Sequence, residues 1–190
     1  MLVLASSSIY RRQLLERLRL PFTVAAPQID ESPLSGEAPR ATALRLAGLK
    51  ALALAAVHRD ALIIGSDQVA VLDGTPLGKP GCRDAALAQL AAVRGREVVF
   101  HTALCLLDAA TGKREIADVP TTVRYRDYTE GQALRYLDLE QPYDCAGSAK
   151  IEALGIALVE RVDSTDPTAL VGLPMIALVG MLKRAGIEVL

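Results

Sequence analysis

The sequence predicts an α/β fold that forms one unit. Short apolar runs typical of buried strands alternate along the chain with segments whose apolar residues recur at helical spacing. No internal repeat and no low-complexity linker divides the chain. Its 190 residues are enough for one domain with a full core. We therefore expect a single domain over residues 1–190, with two lobes around a cleft.

The predicted strands are apolar or alternating runs, most of them bounded by Gly, Pro or polar residues. They are Leu2–Ala5, Phe22–Ala25, Ala61–Gly65, Val69–Leu72, Glu97–Leu107, Glu115–Tyr125 and Ile156–Val162. Ala61–Gly65 is the clearest buried strand because its apolar run is unbroken, and Gly65 is expected to close it. Val69–Leu72 is expected to continue as a separate extended segment. The sequence Asp73-Gly74-Thr75-Pro76 then predicts a hairpin turn.

The predicted helices carry apolar stripes at helical spacing. They cover the segment from Ser8 to about Leu18, then Pro39–Val57, Asp84–Val93, Thr129–Leu137 and a final segment that begins near Pro174. Thr129 is a predicted N-cap, and Pro174 suits the first turn of a helix. Two segments between these elements, Ala26–Arg40 and Gln141–Glu152, are predicted loops.

Composition limits the classes of partner. The net charge of −1 gives no basic field to hold DNA or RNA, although a single nucleotide needs only a local positive pocket. No apolar run reaches the length of about 18 residues that predicts a membrane span, and no charged region precedes the apolar N-terminus as in a signal peptide. Cys82, Cys105 and Cys145 lack metal-site spacing, which favours a reducing, cytoplasmic setting. His58 and His101 are isolated from other ligand types, and we interpret both as bystanders.

The first candidate site is the serine turn at Ser6-Ser7-Ser8. A strand, a tight turn and a helix in this order leave backbone N–H groups pointing outward, and the helix dipole favours an anion there. Arg11 and Arg12 follow in the first turns of the helix, where cations are unfavourable unless an anion is bound. The alternative is a capped helix with two solvated arginines.

Two acidic positions are further candidates. Asp67 lies in a polar triplet inside an otherwise buried extended stretch, which is costly unless the carboxylate is paired; the alternative is a turn aspartate that accepts local N–H groups. Asp30 and Glu31 are adjacent in a predicted loop, where a carboxylate can serve Mg²⁺ or can simply be solvated.

Two lysines complete the candidates. Lys50 lies within an Ala/Leu-rich helix, a context in which a lysine usually faces solvent. Lys79 lies between Gly78 and Pro80, where glycine allows a ligand to approach the backbone closely. The chain has no P-loop motif.

Seven sequence segments resemble the Maf family of nucleotide pyrophosphatases. They are LASSSIYRRQLL, PQIDES, RLAGLKA, IGSDQV, LGKP, PYDCAGSAKIE and LVGLP, in that order along the chain. The resemblance implies a mixed twisted sheet with flanking helices, two lobes around a cleft, as in the inosine triphosphate pyrophosphatases. It also implies hydrolysis of nucleoside triphosphates to the monophosphate and pyrophosphate with a divalent metal, Mg²⁺ or alternatively Mn²⁺, in a cytoplasmic protein that can be a homodimer.

The resemblance also implies roles for individual residues. The phosphate contacts would be Ser6, Arg11, Arg12, Lys50 and Lys79. Glu31 and Asp67 would serve the metal, and Asp67 would be the catalytic proton acceptor. Tyr10, Gln68 and Glu152 would select the base.

The IGSDQV and PYDCAGSAKIE segments are most similar to the branch of the family that acts on 7-methyl-GTP, whereas the dTTP/UTP branch has Arg, Thr and Gln at positions 10, 68 and 152. This chain has Tyr10 where the 7-methyl-GTP branch often has Trp, and Arg94 and Arg96 have no implied role. Two alternatives remain open: hydrolysis of dTTP, UTP or other modified triphosphates, and a nucleotide-binding regulator of cell division without turnover.

Overall fold

The computed structural model describes residues 1–190 and has one seven-stranded sheet. The strands are β1 (Leu2–Ala5), β2 (Phe22–Ala25), β3 (Leu62–Leu72), β4 (Thr75–Leu77), β5 (Glu97–Asp108), β6 (Arg114–Tyr125) and β7 (Val159–Ser164). Their order is β2-β1-β3-β5-β6-β7, and β4 pairs with β3 beside β1. β1 runs parallel to β2 and β3, and every other pairing is antiparallel, so the predicted mixed α/β sheet is confirmed.

The five α-helices cover the sheet. They are α1 (Ile9–Glu16), α2 (Pro39–Leu52), α3 (Arg83–Val93), α4 (Glu130–Glu140) and α5 (Met175–Arg184). Helices α1 and α5 pack with one face of the parallel strands, and α2 packs with residues on the other face. Helices α3 and α4 form a separate core with the far halves of β3, β5 and β6. The long antiparallel strands thus pass from one lobe into the other. None of the helices combines the length and the apolarity that crossing a membrane requires.

Strand β3 has an open stretch of edge where the two lobes meet. On the edge shared with β1, pairing ends at Ala5 opposite Gly65. On the same edge, β4 begins to pair only at Ala70. Residues 66–69 therefore have no strand neighbour on this side, and their backbone leaves this part of the edge free for a cleft.

The predicted end of a strand at Gly65 is wrong, because β3 continues without a break to Leu72. Gly65 instead permits close packing: a Cβ there would lie 2.1 Å from the carbonyl oxygen of Ala47 in α2. The hairpin after β3 is confirmed, since Asp73 and Gly74 join β3 to β4 with φ of 46° and 80°.

Two other boundaries differ from prediction. The segment Ile156–Val162 begins within a 3₁₀ turn at Leu154–Leu158, and the strand itself is Val159–Ser164. The helix predicted to reach Val57 ends at Leu52 and is followed by turns. Apolar content alone does not separate a 3₁₀ turn or an irregular turn from the element beside it. The Thr129 N-cap is confirmed, with Gln132 completing a capping box.

Candidate active site

A cleft of about 350 Å³ opens along the free edge of β3 between the two lobes. Eight of the ten side chains predicted for the site line it: Ser6, Tyr10, Arg11, Glu31, Lys50, Gln68, Lys79 and Glu152. Asp67 and Arg12 are not in the lining. The cleft thus brings together residues that are far apart in the sequence.

The serine turn joins β1 to α1 at one end of the cleft. Ser8 is the N-cap of α1, and its hydroxyl accepts a hydrogen bond from the Arg11 backbone N–H at 3.4 Å. The Ser6 hydroxyl accepts from the Ser8 N–H at 3.1 Å. No protein acceptor meets the N–H groups of Ser7, Ile9 or Tyr10. The turn therefore offers backbone donors at a helix N-terminus, as anion binding requires.

Arg11 and Arg12 lie in different surroundings. Arg11 Nε donates to the Gly172 carbonyl oxygen at 2.8 Å, which fixes the guanidinium at the wall of the cleft. Burial lowers the pKa of Arg11, and the charges of Asp67 and Glu31 partly offset this effect. The Arg12 side chain is 60% exposed and pairs with Glu16 at 2.9 Å, one turn further along α1. Only Arg11 lines the cleft.

Lys50 lies at the base of the cleft between two carboxylates. Its ammonium is 2.7 Å from Asp67 Oδ1 and 2.9 Å from Glu31 Oε2. The expectation that this lysine faces solvent is wrong, because its side chain is only 7% exposed. Helix α2 can bring Lys50 to β3 because Gly65 leaves no side chain between them. A charge at such a depth is tolerable because it is paired and hydrogen-bonded.

Asp67 lies in the middle of β3 rather than in a turn, so the alternative of a turn aspartate is wrong. Its side chain is 9% exposed and contacts Lys50, which lines the cleft. Lys50 bonds to one carboxylate oxygen, and the other, Oδ2, receives no hydrogen bond from the protein. This second oxygen is free to accept a proton or a hydrogen bond from a ligand or a water molecule.

Gln68 points to the opposite face of β3 from Asp67, as alternation along a strand requires. Its side-chain nitrogen lies 2.9 Å from Thr102 Oγ1 and 3.1 Å from the carbonyl oxygens of Ala169 and Leu170. Because the two carbonyls can only accept, the amide nitrogen must face them. The oxygen Oε1 of Gln68 accepts no hydrogen bond from the protein, and Gln68 lines the cleft.

The far wall of the cleft is the recognition loop, which we define as residues 144–152. The Tyr10 hydroxyl donates to Asp144 Oδ2 at 3.3 Å, and the Lys150 ammonium lies 5.9 Å from the centre of the Tyr10 ring. Burial is the largest cause of the raised pKa of Tyr10, with Cys145 and Asp144 adding to it against the effect of Lys150. Glu152 is exposed and lines the cleft.

Sequence reasoning missed several residues that build this site. Thr102 lies opposite Gln68 on β5, and its hydroxyl donates to the Ala169 carbonyl at 2.9 Å. Gly172 accepts from both Arg11 and the Ser66 hydroxyl. The LVGLP segment was a signal for Gly172, whereas nothing in the sequence distinguished Thr102 from other strand threonines.

The two histidines lie outside the cleft lining, as expected of bystanders. His101 Nδ1 is 2.9 Å from Asp118 Oδ2, which also pairs with Arg40 at 3.0 Å. No group of three or more His, Cys, Asp or Glu side chains is arranged to hold a metal ion without further ligands. Any metal at the cleft would therefore depend on ligands beyond these protein side chains.

The comparisons with known proteins place the chain in a family. The profile of the Maf-like protein family matches residues 1–185. A 7-methyl-GTP pyrophosphatase of Cupriavidus metallidurans is 62% identical over 185 residues, covering 97% of this chain and 93% of that protein. A protein of the same name from Thiobacillus denitrificans is 61% identical and covers 100% of this chain and 94% of its own length. Another from Burkholderia thailandensis is 61% identical and covers 97% of this chain and 87% of its own length.

Proposed function

This chain belongs to the Maf family, and from that premise we propose that it hydrolyses 7-methyl-GTP to 7-methyl-GMP and pyrophosphate. The observation that carries the proposal is the buried Lys50, whose ammonium joins Glu31 and Asp67 at the base of a cleft that also holds Arg11. Relatives about 60% identical along nearly the full chain bear the name of that activity.

A triphosphate chain needs several positive groups, because its charge cannot be removed from water unpaired. Arg11, Lys50 and Lys79 line one continuous cleft with the Ser6 hydroxyl and the free N–H groups of the serine turn. We assign these groups to the phosphates. Arg12 was also expected to contact phosphate, and its pairing with Glu16 outside the cleft lining supports at most a long-range contribution.

The donor set at the base of the cleft fits a divalent metal that arrives with the substrate. Glu31 and Asp67 converge on one cation, the Lys50 ammonium, and both are hard oxygen donors. Mg²⁺ is usually held by one or two carboxylates together with substrate phosphate oxygens, and Mn²⁺ accepts the same ligands. When bound, the metal would neutralise phosphate charge during the reaction.

The proposed step is attack by water at the α-phosphorus. The water oxygen forms a bond to phosphorus, the bond to the bridging oxygen of pyrophosphate breaks, and the water proton passes to Asp67 Oδ2. The strand holds Asp67 rigidly, and Lys50 on the other oxygen keeps the carboxylate oriented. Lys79 and Arg11 stabilise the charge on the phosphates, since positioning and electrostatics supply most of the catalysis in phosphoryl transfer.

The base is selected at the end of the cleft formed by Tyr10, Gln68 and Glu152. The 7-methylguanine ring is cationic, and the Tyr10 face attracts a cation. The Glu152 carboxylate can accept from the N1–H and amino group of guanine while offsetting the ring charge. Gln68 Oε1 adds a further acceptor, because its nitrogen is held by Thr102 and the 169–170 carbonyls.

The test is pyrophosphate release from 7-methyl-GTP, GTP, dTTP and UTP with Mg²⁺, for the wild type and Asp67→Asn. We expect 7-methyl-GTP to be the best substrate and Asp67→Asn to lose at least about 10²-fold in kcat, as removal of a general base does. A preference for dTTP or UTP would favour the alternative substrate class. Tight 7-methyl-GTP binding without pyrophosphate release would favour the regulator.

Three further properties belong to the proposal. The first is a cytoplasmic location, which the family resemblance implies. The second is a single domain. The third is the homodimer that the family resemblance allows, and light scattering with size-exclusion chromatography tests it directly. An excess of monomer at micromolar concentration would contradict the dimer.

A further inference from the structure

Two separate segments bring charge to the cleft from the same lobe. Lys79 lies on the Lys79 loop, which we define as residues 78–82, and Glu152 lies on the recognition loop. The Gly81 N–H of the Lys79 loop donates at 3.0 Å to the carbonyl oxygen of Tyr143, the residue directly before the recognition loop. Gln89 on α3 is the only residue whose side chain bonds to both segments.

The Gln89 amide has one defined orientation. Its nitrogen lies 2.9 Å from the Gly78 carbonyl, which can only accept. Its oxygen lies 2.6 Å from the Ser148 hydroxyl, which must then be the donor. The Gln89 amide therefore donates one hydrogen bond and accepts another, and a suitable substitution can remove either hydrogen bond alone.

Ser148 holds an unusual conformation that needs such support. It is fully buried, and its φ of 57° lies in the left-handed region, directly after Gly147 at 74°. A Cβ at Gly147 would approach Phe100 Cζ at 3.3 Å, so this backbone lies against the floor of the cleft. Backbone of this kind persists only where surrounding contacts fix it.

We propose that Gln89 is a positioning residue whose nitrogen holds the Lys79 loop in place for the phosphates and whose oxygen holds the recognition loop in place for the base. Gln89 is not part of the cleft lining and acts through Gly78, which precedes Lys79, and through Ser148. The inference rests on the proposed function for the identity of the substrate. It does not depend on which base is preferred.

Two variants separate the two bonds. Gln89→Glu keeps an acceptor for the Ser148 hydroxyl but cannot donate to Gly78. Ser148→Gly removes the hydroxyl, tolerates the left-handed backbone, and leaves the bond to Gly78 intact. Gln132→Leu is the matched control, because the Gln132 side-chain oxygen also takes part in two hydrogen bonds, accepting from the Thr129 backbone N–H at 2.8 Å and from the Thr129 hydroxyl at 3.3 Å, at the start of α4.

The measurement is kcat/KM for 7-methyl-GTP and GTP, with and without Lys79→Ala in each background. For Gln89→Glu we expect a loss of about tenfold on both substrates, an unchanged ratio between them, and a smaller additional effect of Lys79→Ala than in the wild type. For Ser148→Gly we expect the ratio to fall about tenfold while Lys79→Ala retains its wild-type effect. Gln132→Leu should change neither the ratio between the substrates nor the effect of Lys79→Ala, even if its melting temperature falls.

Identical profiles for the two variants would overturn the proposal, as would wild-type ratios with additive effects of Lys79→Ala in both. If the wild type releases no pyrophosphate, the proposed function fails but this inference is still decided by hydrogen exchange. Gln89→Glu should then speed exchange in residues 78–82, and Ser148→Gly in residues 144–149. Equal exchange in both variants and the wild type would refute the inference.

Discussion

Lys50 carries its charge into the protein interior without being left unpaired, because Glu31 and Asp67 both accept from its ammonium. The arrangement keeps two carboxylates close together that would otherwise repel each other. It also leaves Asp67 Oδ2 without a protein donor. The ion pairs among Lys50, Glu31 and Asp67 therefore stabilise the site and still leave one carboxylate oxygen free to accept a hydrogen bond.

We expect Lys50→Met to be both unstable and inactive. Removing the ammonium leaves Asp67 buried and uncompensated, a change that typically costs about 3–5 kcal/mol. Urea unfolding gives the free energy, and pyrophosphate release gives the activity. The double variant Lys50→Met/Asp67→Leu should recover most of the stability but none of the activity. A Lys50→Met protein as stable as the wild type would show that the pair contributes little.

At the base end of the cleft, we expect Glu152→Gln to lose activity selectively on 7-methyl-GTP. A neutral amide no longer offsets the ring charge, and it places a donor where guanine also donates. The loss should be about 10- to 100-fold in kcat/KM, the usual range for one charged hydrogen bond. The comparison substrate is dTTP, for which the kcat/KM of the variant should change little. Equal losses on both substrates would remove Glu152 from base selection.

Among the elements, the loop before α2 shows how a segment without regular structure is held in place. Arg45 Nε is 2.7 Å from Glu37 Oε1. Arg45 Nη2 is 2.8 Å from Glu37 Oε2 and 3.0 Å from the Ser32 carbonyl oxygen. Ser32 follows Glu31 directly. This two-point pair therefore fixes the loop on the helix that also carries Lys50, and brings Glu31 to it.

The same pair makes stability depend on pH. Hydrogen bonds from Arg45, with smaller contributions from the Leu34 N–H and the Thr42 hydroxyl, lower the pKa of Glu37 from 4.5 to about 2. Because the folded pKa is depressed, its contribution is complete above pH 4.5 and is lost as the pH falls towards 2. We expect the urea midpoint of Glu37→Gln to change less than that of the wild type between about pH 5 and pH 3, the window set by these pKa values.

The control is Glu188→Gln, an exposed carboxylate without an ion-pair partner, which should leave the pH dependence unchanged. A Glu37→Gln profile that parallels the wild type across this window would show that the pair does not contribute. A higher metal requirement in Glu37→Gln would in addition connect the loop to the position of Glu31.

The sequence predicted most elements because apolar periodicity and turn residues are local properties. The β3–β4 hairpin and the Thr129 cap are examples in which a few adjacent residues determine the geometry. Gly65 was misassigned because its role depends on α2, which packs across it from a distant part of the chain. For the same reason the helical pattern alone favoured a solvent-facing Lys50, whereas the family resemblance assigned Lys50 to the site. Residue type and spacing could suggest the site, but Thr102, Gln89 and Arg45 acquire their roles only through contacts between distant segments.

For the whole molecule, the cleft is assembled from both lobes and from both ends of the chain. Ser6 and Arg11 come from the N-terminal turn, Lys79 and the recognition loop from the second lobe, and Gly172 from the segment before α5. A bound triphosphate would therefore contact segments that are otherwise linked mainly through the sheet. Binding energy that depends on all of them is available only to the folded protein.

Ligand binding should accordingly raise the melting temperature. A non-hydrolysable 7-methyl-GTP analogue with Mg²⁺, at about 100 times its Kd, adds about 2.7 kcal/mol to the free energy of unfolding. For a chain of this size that corresponds to a shift of about 5–10 °C. Calorimetry should show most of the shift lost when EDTA removes the metal, because the carboxylates of Glu31 and Asp67 would then repel the phosphates.

Lys79→Ala should reduce the shift at the same ligand concentration, since Lys79 is exposed and its loss leaves no buried group unpaired. An unchanged shift in EDTA would mean that the triphosphate binds without a metal, and the assignment of Glu31 and Asp67 as metal ligands would then be wrong.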